Sequence, residues 1–149
     1  MKWLGIIVIG LLSIGLLAYI VMAVLSQKQP DSLGLQNGML KACPSSPNCV
    51  CSESHTQSDA QHFIEPIAGN AQTWAKLKQV MTKQGGLIHT ETSDYMHITF
   101  STPIFRYIDD VECRFDKAND FIYIRSASRI GKSDFGVNRK RIERLKEAL

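Results

Sequence analysis

The chain lacks the short motifs that identify common enzyme classes. Its 149 residues contain no nucleophile elbow, phosphate loop, Ser-His-Asp order or His-Glu-x-x-His. There is also no Cys-x-x-Cys, the spacing at which redox motifs lower a thiol pKa, and no paired zinc knuckle. Internal repeats and low-complexity tracts are missing as well. We therefore predict no catalytic residue, metal or cofactor.

The chain has no large excess of positive or negative charge. The net charge is only +3, and the few aromatic residues fall in segments that read as strands, which argues against nucleic-acid binding. The distribution is uneven, however, because residues 125–149 carry eight Lys or Arg against three Asp or Glu. This basic end of the chain predicts an anionic partner.

The longest feature that is present is an uncharged, mostly apolar run over residues 3–26. A helix through residues 4–25 is about 33 Å long, enough to cross the hydrocarbon core of a bilayer. A cleaved secretory signal is the alternative, but the run is longer than such signals and no small-x-small cleavage site follows it. We predict a membrane anchor over residues 1–28 and a linker over 29–42. The positive-inside rule weakly favours a cytoplasmic N-terminus, which places the remaining domain on the periplasmic side of the inner membrane.

Three of the four cysteines lie close together, in the sequence Cys43-Pro-Ser-Ser-Pro-Asn-Cys49-Val-Cys51. Its prolines, serines and asparagine favour a constrained loop. Outside the cytoplasm such a loop is most simply closed by a disulfide. Four cysteines allow three complete pairings, of which we favour Cys43 to Cys49 with Cys51 to Cys113. A zinc site with the nearby histidines is the alternative, although its spacing is poor.

The remaining residues predict one α+β domain over 43–149. Helical spacing from Ala71 stops at Gly85, and Asn70 or Thr73 is the candidate N-cap. Alternation of period two then predicts strands over 87–92, 95–102, 105–115 and 121–127. A last helix is expected over 139–149, with Asn138 as its N-cap. The predicted architecture is an N-terminal transmembrane helix followed by an antiparallel four-stranded sheet packed by two helices.

The basic segment supplies the candidate anion site. A strand leads there through a Gly- and Ser-containing loop into a helix start, where free backbone N–H groups favour phosphate or carboxylate. The candidate ligand-binding residues are Arg125, Arg129, Lys132, Asn138, Arg139 and Arg141. In the alternative interpretation, these arginines pair inside the domain with Asp109, Asp110, Glu112 or Asp134.

Three segments together resemble the domain of unknown function 1499 family. They are Cys43-Pro-Ser-Ser-Pro-Asn-Cys49, the stretch from Asp109-Asp110-Val111-Glu112 into Arg114-Phe115-Asp116, and the segment from Arg125-Ser-Ala-Ser-Arg129 to Asn138-Arg139-Lys-Arg141-Ile142. The resemblance implies a small, often membrane-associated α+β domain without an established activity. Cys43 and Cys49 match the family pattern, whereas Cys51 and Cys113 lie where Ser and an aromatic residue are more usual.

Two functions from different classes follow. The first is a binding module of the cell envelope, which contacts the membrane through residues 4–25 and holds an anionic lipid, a glycan acid or an acidic protein. The second is an envelope hydrolase or transferase that uses Asp110 and Glu112, which share one strand face, near His97. A structural partner of another membrane protein is the third alternative.

Overall fold

The computed structural model describes residues 2–149. It opens with a long helix, α1 (Lys2–Gln27), which is apolar enough to span a membrane. At 1.5 Å rise per residue its apolar stretch, Trp3–Gln27, is about 37 Å long. No residue in the most apolar part of this stretch is buried by the rest of the protein. Length and composition alone would also fit a signal sequence.

The segment after α1 carries a short hairpin that the sequence did not predict. Strands β1 (Leu35–Gln36) and β2 (Met39–Leu40) pair in a two-stranded antiparallel sheet. Asn37 and Gly38 connect them, both with positive φ, as a tight hairpin turn requires. Leu40 is buried, so the hairpin is attached to the domain.

The central sheet has six antiparallel strands, two more than predicted. They are β3 (Cys49–Cys51), β4 (Ile67–Ala68), β5 (Leu87–Glu91), β6 (Tyr95–Ser101), β7 (Ile108–Asp116) and β8 (Phe121–Ser128). The order is β3-β8-β7-β6-β5, and β4 pairs with β8 beside β3. The meander from β5 to β8 confirms the predicted strands. We missed β3 and β4 because strands of two or three residues are too short to show alternation.

Two helices cover one face of the sheet. The first, α2 (Ala71–Lys83), begins at Asn70, whose side chain accepts hydrogen bonds from the N–H groups of Gln72 and Thr73. This confirms the predicted cap. The second, α3 (Val137–Glu147), buries Ile142 and Leu145 as predicted. The core lies between these helices and the sheet and includes Leu77, Met81, Met96, Ile98, Val111, Phe115, Ile122 and Ile124.

The start of α3 differs from the prediction. Gly136, at φ 77°, is the N-cap, while Asn138 lies inside the helix and is buried. The carboxylate of Asp134 accepts hydrogen bonds from the N–H groups of Gly136 and Asn138. The side chain of Asn138 points to the sheet, where it donates to the carbonyl of Asn48 and to the hydroxyl of Ser128. We misassigned the N-cap of α3 because Asp134, three residues before the helix, accepts the hydrogen bonds of the N–H groups at the helix start.

Candidate functional site

A pocket opens where α1 meets one end of the sheet. Its volume is about 290 Å³, and Gln27, at the end of α1, forms part of its wall. The remaining wall comes from the start of β5, the end of β6, the β6–β7 loop, the start of β7 and the segment after β8. The residues are Gly85, Leu87, His89, Thr99, Ser101, Arg106, Ile108 and Arg129.

Arg129 joins the sheet to the end of α1. Its guanidinium donates two hydrogen bonds of 2.8 Å to the carboxylate of Asp110, a bidentate pair. It also donates to the backbone carbonyls of Ser26 and Gln27, at 3.3 and 3.0 Å. Ser26 is fully buried, and its hydroxyl accepts a hydrogen bond from the N–H of Ile108. The last turn of α1 is therefore part of the domain.

Two histidines extend this cluster along β5 and β6. His97 is buried, and its Nε2 lies 2.8 Å from Oδ1 of Asp110. His89 lies nearer the solvent, with Nε2 2.8 Å from Oγ1 of Thr99. The two imidazole rings stack at 5.2 Å between centroids, as expected for residues that meet across a hairpin. The cluster thus runs from a buried carboxylate to an imidazole in the pocket wall.

These contacts shift two pKa values. Burial alone raises the pKa of Asp110, but the hydrogen bonds and charges of Arg129 and His97 outweigh it, so the net pKa is lowered. Desolvation lowers the pKa of His89, and the neighbouring His97 and Arg129 lower it further against the pull of Asp110. Asp110 is therefore held ionised, while His89 is biased towards its neutral form.

Arg106 is a second cation in the pocket wall, and we did not predict it. It lies in the β6–β7 loop with φ 56°, and its side chain is exposed. Within residues 3–149, no Asp or Glu side chain lies within salt-bridge distance of its guanidinium. Its carbonyl accepts a hydrogen bond from the Gln27 amide at 3.2 Å. We predicted a strand over residues 105–115, but the structure begins β7 at Ile108 and leaves Arg106 in the preceding loop.

The structure separates the six predicted anion-binding residues. Arg129 lines the pocket, whereas Lys132 is exposed in the following loop and Arg139 donates to the carbonyl of Gln61. Arg125 is buried against Glu112 at 3.1 Å, and Arg141 pairs with Asp109 at 2.5 Å. The alternative interpretation, internal pairing, therefore describes the contacts of Arg125, Arg129 and Arg141.

The start of α3 does not offer the free N–H groups that we expected. The carboxylate of Asp134 already accepts hydrogen bonds there from the N–H groups of Gly136 and Asn138. Asn138 is instead part of a buried network, in which its side-chain oxygen accepts hydrogen bonds from Ser126 and Arg141. Anion binding at this helix start would have to displace an internal carboxylate.

A second buried cluster lies farther along the same sheet face. Glu112 accepts hydrogen bonds from Tyr95 at 2.7 Å, from the N–H of Gly34 at 2.7 Å and from Arg125. Desolvation and the neighbouring charge of Glu112 raise the pKa of Tyr95. Gly34 has φ 90°, a conformation that favours glycine. Asp110 and Glu112 share one face as predicted, but they belong to different clusters.

Glu53 and Arg114 form the third ion pair of this face. Their side chains make a bidentate contact at 2.9 Å for both bonds. Glu53 also accepts the N–H of Leu40, and Arg114 lies over the ring of Tyr123 at 4.1 Å. The hairpin β1–β2 is thereby held against the sheet.

The cysteines confirm one predicted disulfide and exclude the other. Cys43 and Cys49 are bonded, whereas Cys51 and Cys113 are free, buried thiols. Our prediction of a Cys51–Cys113 bond is wrong because β8 lies between their strands: Cys51 pairs with Arg125, which pairs with Glu112 on β7. Two strand spacings, about 9–10 Å, exceed the reach of a disulfide. Burial raises the pKa of both thiols.

A metal cluster is not assembled in the described part of the chain. No group of three or more His, Cys, Asp or Glu side chains within residues 2–149 is arranged to hold an ion. His62, one of the histidines considered for zinc, instead contacts Asp59 at 2.5 Å and the carbonyl of Ser46 at 3.0 Å.

The family model for a protein of unknown function, DUF1499, matches residues 39–149. The chain therefore belongs to this family. No curated protein and no solved structure shows significant similarity to it. The family carries no activity that could assign a role to the pocket.

Proposed function

We propose that this member of the family is a membrane-anchored binding module that holds an anionic lipid headgroup in the pocket beside its anchor. The observation that carries the proposal is the position of Arg106. Its charge has no carboxylate partner within residues 3–149, and it lies in the wall of a pocket that Gln27 also lines. A lipid phosphate can supply the partner that the protein does not.

The location supports a lipid over a soluble anion. If α1 spans the bilayer, its apolar run ends at about Leu25, and the pocket lies at the level of lipid headgroups. The wall is suited to an amphiphilic group, since Leu87 is apolar while His89, Thr99 and Ser101 offer hydrogen-bonding groups. A volume of about 290 Å³ accommodates one headgroup.

Retention of α1 is part of this proposal. Ser26 and Gln27 accept hydrogen bonds from Arg129, and Ser26 accepts one from Ile108. Removal of a signal sequence up to this point would leave these buried partners without acceptors, at a cost of about 1–3 kcal/mol for each group. We further propose the periplasmic side of an inner membrane for the domain, which the Cys43–Cys49 disulfide supports.

The test is native mass spectrometry of the full chain in mild detergent, titrated with phosphatidylglycerol and, as reference, phosphatidylcholine. We expect the intact chain to retain phosphatidylglycerol preferentially. Arg106→Ala should lower that retention by about 10- to 100-fold, because one charge-assisted hydrogen bond contributes about 1.5–3 kcal/mol. The folded structure should be unaffected, since the side chain is exposed.

Lys117→Ala is the matched control. Lys117 is an exposed cation in the β7–β8 turn, at the opposite end of the sheet. Equal retention by the two variants would contradict a headgroup site at Arg106, as would equal retention of the two lipids by the unsubstituted chain. The measured mass of the chain also shows whether residues 1–28 remain.

A further inference from the structure

The β6–β7 loop, residues 102–107, extends away from the sheet along α1. The hydroxyl of Tyr19 donates to the carbonyl of Ile104 at 3.1 Å, and the rings of Tyr19 and Phe105 meet edge to face at 5.8 Å. Phe105 in turn stacks on Tyr107 at 5.4 Å. The loop therefore packs on the helix through an aromatic contact and a hydrogen bond.

The loop tip lies well inside the apolar stretch of α1. The base of the loop, at Ile108, contacts Ser26, whereas the tip contacts Tyr19, seven residues earlier. Seven residues of helix correspond to roughly 10 Å along its axis. Since the apolar run ends at about Leu25, the tip lies about 9 Å below that end. In a chain whose α1 spans the bilayer, this depth is within the hydrocarbon region.

The side chains at the tip fit such an environment. Ile104 is 75% exposed and Phe105 is 49% exposed, so the protein itself leaves both largely uncovered. Exposure of two large apolar side chains next to an apolar helix extends its lipid-facing surface. Arg106 follows, with its carbonyl bound by the Gln27 amide, and its long side chain can extend towards the headgroups.

Several polar groups of the loop backbone have hydrogen-bond partners within the protein. Irregular backbone at membrane depth requires partners for its polar groups. Tyr19 satisfies the carbonyl of Ile104, and Gln27 satisfies that of Arg106. Thr102 closes the base of the loop, because its carbonyl accepts the N–H of Arg106 and its N–H donates to the carbonyl of Tyr107.

We propose that the tip of the β6–β7 loop, Ile104 and Phe105, inserts into the lipid bilayer beside α1. The domain then contacts the membrane at two points, the anchor and the loop, and cannot swing freely about the end of α1. The occupant of this apolar surface is lipid, because the surface is continuous with the membrane-facing side of the helix.

The test places a fluorescent label on Ile104→Cys in the full chain reconstituted into phosphatidylcholine vesicles. Cys51 and Cys113 are buried and their thiols are held protonated, so they do not compete for a maleimide label. We expect nitroxide groups on the lipid acyl chains to quench the label, and iodide on both sides of the vesicle to leave it bright. Ala118→Cys, in the exposed turn at the far end of the sheet, should show the reverse pattern.

Quenching of the Ile104→Cys label by iodide, with no effect of the lipid nitroxides, would overturn the proposal. The same experiment on Phe105→Cys covers the case in which the first variant does not fold. Tyr19→Phe removes the hydroxyl that holds the Ile104 carbonyl, and we expect it to reduce quenching by the lipid nitroxides. Unchanged quenching in Tyr19→Phe would show that Tyr19 does not position the loop.

Discussion

The two faces of the six-stranded sheet are both buried, but different forces bury them. One face presents Met96, Ile98, Val111 and Phe115 to the helices α2 and α3. The other face presents His97, Asp110, Glu112 and Arg125 to the segment between α1 and β2, and each of these side chains is at most 3% exposed. The first face is mainly a hydrophobic core, with the buried Arg141–Asp109 pair at one end, and the second is a layer of ion pairs.

The difference shows how a short, irregular segment can cover a sheet. Apolar burial is non-directional, so helices with an apolar stripe suffice for the first face. Burial of charge requires a specific partner for each polar group. The N-terminal segment supplies such partners through the N–H groups of Gly34 and Leu40 and the carbonyls of Ser26 and Gln27.

The largest expected effect comes from breaking an ion pair on the polar face. Glu112→Ala leaves the Arg125 guanidinium buried without its carboxylate and removes the acceptor of Tyr95 and Gly34. We expect the free energy of unfolding to fall by about 3–5 kcal/mol. Chemical denaturation of the full chain in detergent micelles measures it. Glu91→Ala, which breaks the exposed pair with Lys78, should cost at most about 1 kcal/mol. Similar losses in both variants would show that the polar-face pairs behave like surface pairs.

The apolar face should depend on volume and tolerate changes of shape. Leu77→Ala opens a cavity beneath α2, where Leu77 is fully buried, and should lower the free energy of unfolding by about 2–5 kcal/mol. Met96→Leu keeps the volume and should cost less than about 1.5 kcal/mol. The same denaturation experiment compares them. A Met96→Leu loss as large as that of Leu77→Ala would mean that this face, too, requires specific contacts.

Acid should weaken the polar face through Asp110. Its folded pKa is lowered, so its contribution is complete above the unfolded value of about 3.9 and is lost as the pH falls through the lower folded value. We therefore expect the free energy of unfolding to decrease as the pH falls below about 4. Asp110→Asn should be less stable at pH 7 but should lose less over that range. Parallel curves for the two proteins would exclude Asp110 as a source of the acid dependence.

Much of the fold could be predicted because its longer elements carry their own periodicity. The helix α2, its Asn70 cap and the meander from β5 to β8 each follow from local pattern. Strands β3 and β4 are two or three residues long and exist only because the long strands provide an edge for them, a pairing that local sequence does not encode. The hairpin β1–β2 does carry a local signal, the Asn37-Gly38 turn, which we overlooked.

The candidate site was harder to predict than the fold. Arg129 was identified from the density of charge near the C-terminus, but Arg106 lies in a loop at positive φ and has no periodic context. Arg125 and Arg141 carried the same sequence signal as Arg129, yet their strand and helix positions direct them to Glu112 and Asp109. Sequence shows which charges exist, whereas register decides which of them neutralise each other.

Sequence by itself determined the apolar helix, the α+β class, the disulfide-bearing loop and the family, because hydrophobic period, turn residues and cysteine spacing are local properties. Tertiary structure alone decided that Cys51 and Cys113 remain thiols, that Gly136 rather than Asn138 is the N-cap of α3, and that a pocket forms around Arg106 and Arg129. Each of these outcomes depends on distances between residues far apart in the chain. Such distances are set by strand order and by the docking of α1 on the sheet.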